Sequence, residues 1–119
     1  PDDLFSLERR ALEKFGVPVT WRDLAGFLSR VEENGVAIHV ASLAGHGTLR
    51  KRAMGMADRA PTDDELARMA RDLEAALEQG AVGLSSGLEY VPGMYADVAE
   101  MTALARIARA AGGFYATHL

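Results

Sequence analysis

The chain has 119 residues, 49% of them hydrophobic, and a formal charge of -4, which describes a soluble globular segment rather than a disordered one. Seventeen acidic residues against thirteen basic ones argue against a nucleic-acid or membrane-surface binder, since both need clustered positive charge. With no cysteine, disulfides and thiolate metal sites are excluded within the chain, and a cytoplasmic setting is expected.

No apolar run approaches the ~18 residues of a membrane helix, and the acidic start Pro1-Asp2-Asp3 lacks the basic and apolar segments of a signal peptide. The length suits one α/β domain but falls short of the roughly 200–250 residues of a closed eightfold barrel.

In chain order, Asp3 to Phe15 is helical in character, with Leu4, Leu7, Ala11 and Phe15 on one side, and Gly16-Val17-Pro18 ends it. Thr20 is placed to cap a second helix whose apolar stripe is Leu24, Phe27, Leu28 and Val31. Asn34-Gly35 stops that helix, because glycine enters the left-handed region at little cost. The evenly apolar run from Val36 to Leu43 then predicts a strand buried on both faces, as parallel sheets require. In it His39 would be a hydrogen-bonded core histidine.

A long connection from Ala44 to Pro61 holds one short helix, begun by Thr48 and stopped by Gly55. Within it, the run Arg50-Lys51-Arg52 reads as a solvated face. Thr62-Asp63-Asp64-Glu65 is a capping box, and Leu66, Met69, Ala70, Leu73 and Leu77 carry the helix it opens to Gly80. A second buried strand spans Ala81 to Ser85, a helix spans Asp97 to Ala111, and Gly112-Gly113 leads into a third strand, Phe114 to His118.

Helix, glycine and short apolar strand thus recur three times, which predicts parallel strands. Either a doubly wound sheet or part of a (β/α) barrel satisfies this pattern. In both, functional groups gather beyond the C-terminal ends of the strands. The residues there are Gly45-His46-Gly47, Ser85-Ser86-Gly87-Leu88-Glu89-Tyr90 and Thr117-His118.

His118, a neutral imidazole at a strand end, is the candidate metal ligand. Strand alternation groups it with Phe114 and Ala116. His46, between two glycines, stands where backbone amides approach an anion closely, or simply in an exposed turn. Ser86, Tyr90 and His46 are the candidate substrate contacts, although Ser85-Ser86-Gly87 is not a nucleophile elbow.

Three ordered phrases carry a resemblance. Ala41-Ser42-Leu43-Ala44-Gly45-His46-Gly47-Thr48-Leu49-Arg50, Gly83-Leu84-Ser85-Ser86-Gly87-Leu88-Glu89-Tyr90-Val91-Pro92-Gly93 and Tyr115-Ala116-Thr117-His118-Leu119 resemble the N-acyl-D-amino-acid deacylase (D-aminoacylase) family of the amidohydrolase superfamily. The resemblance implies a TIM-like (β/α) barrel of which residues 1–119 supply about strands three to five. It implies His118 as a zinc ligand, zinc as cofactor, and hydrolysis of the amide of a small-molecule N-acyl-D-amino acid.

The family's first-strand histidine pair, metal-binding cysteine, sixth-strand histidine and late aspartate have no counterparts here, so the isolated chain is expected to be inactive. Two alternatives stand beside this reading. One is a non-catalytic α/β module that associates with itself as a homo-oligomer through its open sheet. The other is a dihydroorotase- or hydantoinase-like enzyme, a branch that uses a carboxylated lysine at the fourth strand, and no lysine lies near Ser85 or Ser86.

Overall fold

A computed structural model describes residues 6–118. Five helices and three strands follow in the order α1 Ser6–Lys14, α2 Leu24–Asn34, β1 Ala44–Gly45, α3 His46–Met54, α4 Asp63–Glu78, β2 Gly83–Gly87, α5 Val98–Ala110 and β3 Phe114–His118. A 3-10 turn, Gly93–Tyr95, lies between β2 and α5.

The strands form one parallel sheet in the order β1-β2-β3, with Ala44 opposite Leu84 and Gly45 opposite Ser85. Gly83 to Gly87 pair in step with Phe114 to His118. The architecture is therefore mixed α/β with a small parallel sheet, as the repeated helix–glycine–strand phrase predicts.

One apolar core joins the sheet to its helices. Leu84 of β2, Met69 and Leu73 of α4, and Leu104 and Ala108 of α5 are wholly or almost wholly buried, with Leu49 and Ala53 of α3 beside them. The α4 stripe reads as expected, and its start is the predicted capping box: Glu65 N donates to Thr62 Oγ1, and Thr62 N donates to Glu65 Oε2 at 2.8 Å.

At the turn into β3 the backbones come so close that a Cβ on Gly113 would lie 3.1 Å from Gly83 Cα and from Val82 O. Glycine is needed at that position for proximity, not for a turn.

Several local expectations are corrected. The first strand covers only Ala44–Gly45, and Val36, Ile38, His39 and Val40 are exposed outside any strand. Pairing with the sheet begins at Ser42, whose carbonyl accepts from Val82 N at 2.9 Å. Among the described residues no second layer covers the earlier part of that run, so its apolar side chains and His39 have nothing to be buried against.

Helix α2 is capped by Asp23, not Thr20: Gly26 N donates to Asp23 Oδ1 at 2.8 Å. A carboxylate three residues before the acceptor-seeking amide wins over a hydroxyl six before it. Gly35, at φ 68°, ends α2 as expected. Helix α3 starts at His46 rather than Thr48, and β2 runs two residues later than predicted. Residues 3–5 of the predicted first helix lie outside the described residues; Phe15, meant for its apolar side, is 80% exposed.

Candidate functional site

The C-terminal ends of the three strands mark one rim, at Gly45, Gly87 and His118. Gly87 and His118 are register partners, so the His118 side chain stands on the face shared by Gly87, Ser85 and Ala116. Leu84, Ser86, Tyr115 and Thr117 point to the other face, where Leu84 enters the helical core. The imidazole of His118 is exposed, and the Tyr90 ring meets it edge-on with centroids 5.8 Å apart.

Tyr90 reaches that position because the chain turns tightly after β2. Tyr90 N donates to Gly87 O at 3.2 Å, and Met94 N donates to Tyr90 O at 2.9 Å. The 3-10 turn then folds back onto the strand end. A Cβ at Gly93 would sit 2.9 Å from Gly87 O and 3.7 Å from His46 Nδ1, so only glycine fits there without displacing the turn.

Beneath this turn lies a buried polar cluster. His46, Arg50 and Glu100 are each at most 1% exposed. His46 Nε2 donates to Glu100 Oε1 at 2.7 Å, and Arg50 Nη1 donates to Glu100 Oε2. Burial alone would raise the Glu100 pKa; the hydrogen bonds from His46 and Arg50 outweigh it and hold the carboxyl below its ordinary value. The group is therefore a carboxylate flanked by two donors.

The cluster extends outward. Arg50 Nη2 also donates to Arg59 O at 2.6 Å and to Ala57 O at 3.3 Å. The Arg59 guanidinium grips Glu65 with two bonds of 2.7 and 2.8 Å, and Glu65 is the N3 residue of the α4 capping box. The starts of α3, α4 and α5 are thus tied together behind the rim. Two buried atoms, His46 Nδ1 and Arg50 Nε, have no hydrogen-bond partner.

Sequence reasoning placed these groups unevenly. The rings of His118 and Tyr90 come together at the rim. Ser86 does not join them: its Oγ bonds Tyr115 Oη at 2.6 Å and Thr117 Oγ1 at 3.0 Å, on the opposite face. His46 is neither in an exposed turn nor open to an anion, because a helix begins at it and Glu100 occupies its Nε2. Arg50, expected in solvent, is buried. Glu100 went unread because it sits three residues after Asp97 and mimics an ordinary first-turn acid; Asp97 Oδ1 does accept from its amide at 2.7 Å. The readable signal was His46 and Arg50 four apart on one helix face.

A zinc ion needs three or four protein ligands. Among the described residues no three His, Cys, Asp or Glu side chains are grouped for one.

No family model matches the chain. It is 40% identical over 109 residues to an N-acyl-D-glutamate deacylase of Alcaligenes xylosoxydans xylosoxydans, a match that takes in 92% of the chain and 22% of that protein. It is 41% identical over 96 residues to a D-aminoacylase of the same organism, covering 80% of the chain and 20% of the relative. The crystal structure of N-acyl-D-glutamate deacylase from Bordetella bronchiseptica, complexed with zinc and a phosphonate inhibitor that mimics the tetrahedral intermediate, superposes with a TM-score of 0.76 at 40% identity, over 82% of this chain and 20% of that one. Over most of its length the segment is similar to N-acyl-D-amino-acid deacylases.

The chain spans about a fifth of the length of these deacylases. The face of the sheet carrying Phe114 and His118, both exposed, is uncovered among the described residues. No described helix is long and apolar enough to cross a membrane.

Proposed function

We infer that this segment supplies about strands three to five of a TIM-like deacylase barrel and contributes to zinc-dependent hydrolysis of the amide in N-acyl-D-amino acids. The observation that carries the reading is the rim pair. An exposed imidazole stands at a strand end on the uncovered sheet face, with the Tyr90 ring edge-on beside it, in a chain 40% identical to deacylases.

In this reading His118 donates a neutral ring nitrogen to the metal, as strand-end histidines commonly do. Zinc, when bound, activates a water and polarises the acyl oxygen. Tyr90 lines the approach to the reacting carbonyl and restricts where the substrate lies. The position of Ser86 behind the sheet supports a different role for it, bracing β2 against β3 through Thr117 and Tyr115 rather than touching substrate. His46 likewise acts from below the rim rather than on it.

The test is expression of this segment within its complete coding sequence. Purified protein is expected to hold zinc and to release D-amino acid from an N-acetyl-D-amino acid. The His118→Ala variant is expected to lose both, and a variant that kept full zinc and turnover would sink the reading.

A further inference from the structure

Nothing in the catalytic reading requires a buried carboxylate with two donors, yet the His46–Arg50–Glu100 cluster occupies the ground directly under the Tyr90 turn. We propose that this cluster is a positioning device, which fixes the β2–α5 connection so that the Tyr90 ring is held against His118. It rests on the reading of Tyr90 and His118 as site residues given above.

Three relationships carry the proposal. Glu100 sits in the first turn of α5, so its bonds to His46 and Arg50 anchor the far end of the connection that begins at Gly87. His46 is the first residue of α3, immediately after β1, so the same bond ties that end to the rim. Between these anchors the Gly93 turn lies against both Gly87 O and His46 Nδ1. Tyr90 is thus carried on a loop whose far end is bonded into the network, whose middle lies against it, and whose near end is held by the pairing of Gly87 with His118.

A network built for stability alone does not need that arrangement. Apolar residues of equal volume generally hold helices together as well as a buried ion pair does. A charged cluster adds directional constraint, because each of its bonds tolerates little displacement. Tyr90 itself is 60% exposed, so its own packing supplies little of the constraint.

The test uses the 119-residue chain, isotopically labelled, and reads ring contacts by NMR. In the unmodified chain, nuclear Overhauser contacts between the Tyr90 and His118 rings are expected. His46→Leu is expected to abolish them and to shift the His118 ring resonances, while cross-strand contacts between Ser86 and Thr117 persist. His46→Gln, which keeps an N–H donor near the Nε2 position, is expected to restore the ring contacts. Unchanged contacts in a folded His46→Leu chain would overturn the proposal.

If His46→Leu does not fold, the unmodified chain decides. Backbone order parameters for residues 88–96 near the rigid value of about 0.85 support a held loop, and values below about 0.6 refute it. None of these readouts involves zinc or turnover. Failure here leaves the His118 ligand assignment standing, and failure of that assignment leaves these contacts intact.

Discussion

His46 and Glu100, 54 positions apart in the chain, share a 2.7 Å hydrogen bond at a site where both side chains are fully shielded from solvent. Arg50 completes the arrangement from the other carboxylate oxygen. Removing the acid leaves a guanidinium buried without its counter-charge, which is far worse than never having buried either. Glu100→Ala is therefore expected to destabilise the chain by about 3–5 kcal/mol, the range seen when one partner of a buried pair is removed. Urea unfolding checks it, and a loss under about 1 kcal/mol would show that the cluster is solvated.

Acid should act through two carboxylates. Glu65 is held at about 2, first by its hydrogen bonds from Arg59 and then by the Thr62 amide, and Glu100 is also lowered. Both are depressed in the folded state, so each contributes stability above the unfolded glutamate value of about 4.3. That contribution is lost as pH falls from there through the folded value, near 2 for Glu65. The midpoint of thermal unfolding is expected to drop between about pH 4.5 and 2. Glu65→Gln keeps the capping geometry but removes the titration, so its pH profile should be flatter in this window. A wild-type profile that is flat here would count against both ion pairs.

How far the sequence could be read depended on where the deciding force was local. The α4 capping box, the Met69–Leu73 stripe, the Gly35 stop and β3 all rest on neighbours within a turn or two, and all are where the pattern puts them. The strand Val36 to Leu43 failed because its apolar run needs a covering layer, and burial is a property of the neighbours rather than of the run. His46 and Arg50 were misjudged for the same reason. Their fate was set by Glu100 some fifty residues later, and no local rule marks an acid three residues past an N-cap as a buried counter-ion. At the rim, the strand ends were legible, but the partners of Ser86, Tyr115 and Thr117, stand some thirty residues later on β3 and no local pattern marks them.

The packing of α5 onto β2 gives a simpler test. Leu104 is fully buried in the core that also holds Leu73, Leu84 and Ala108. Leu104→Ala removes three carbons and leaves a cavity that the surrounding helices fill only in part. The expected cost is about 2–5 kcal/mol in denaturant unfolding, with near-native spectra in the remaining folded fraction. A cost below about 0.5 kcal/mol would mean that α5 does not dock as described.

The open side of the sheet should make the isolated chain associate with itself. β3 is an edge strand whose Phe114 and Tyr115 are 56% and 42% exposed, and Ile38, ahead of β1, is 74% exposed. A flat apolar edge with unpaired backbone groups recruits another strand. Light scattering after gel filtration is expected to show the 119-residue chain as a dimer or larger at tens of micromolar. Replacing Tyr115 with Lys should shift it toward monomer. A monodisperse wild-type monomer at that concentration would contradict the expectation.

The last prediction concerns zinc. His118 is exposed at the rim, and its ring neighbour is Tyr90, whose phenol is not among the cysteine, histidine and carboxylate groups that usually hold zinc. His46 cannot join it, since Glu100 holds its Nε2 on the buried side of the turn, and His39 lies exposed outside the sheet. With one imidazole available, affinity falls short of what three or four converging ligands provide. The 119-residue chain, loaded with zinc and passed over a desalting column, is expected to retain well under one ion per chain and to release no D-amino acid from N-acetyl-D-amino acids. Metal content by mass spectrometry reads the first expectation and chiral chromatography the second. One firmly held zinc per chain, lost in His118→Ala, would show that donors within these 119 residues complete the site by a rearrangement absent from the described fold.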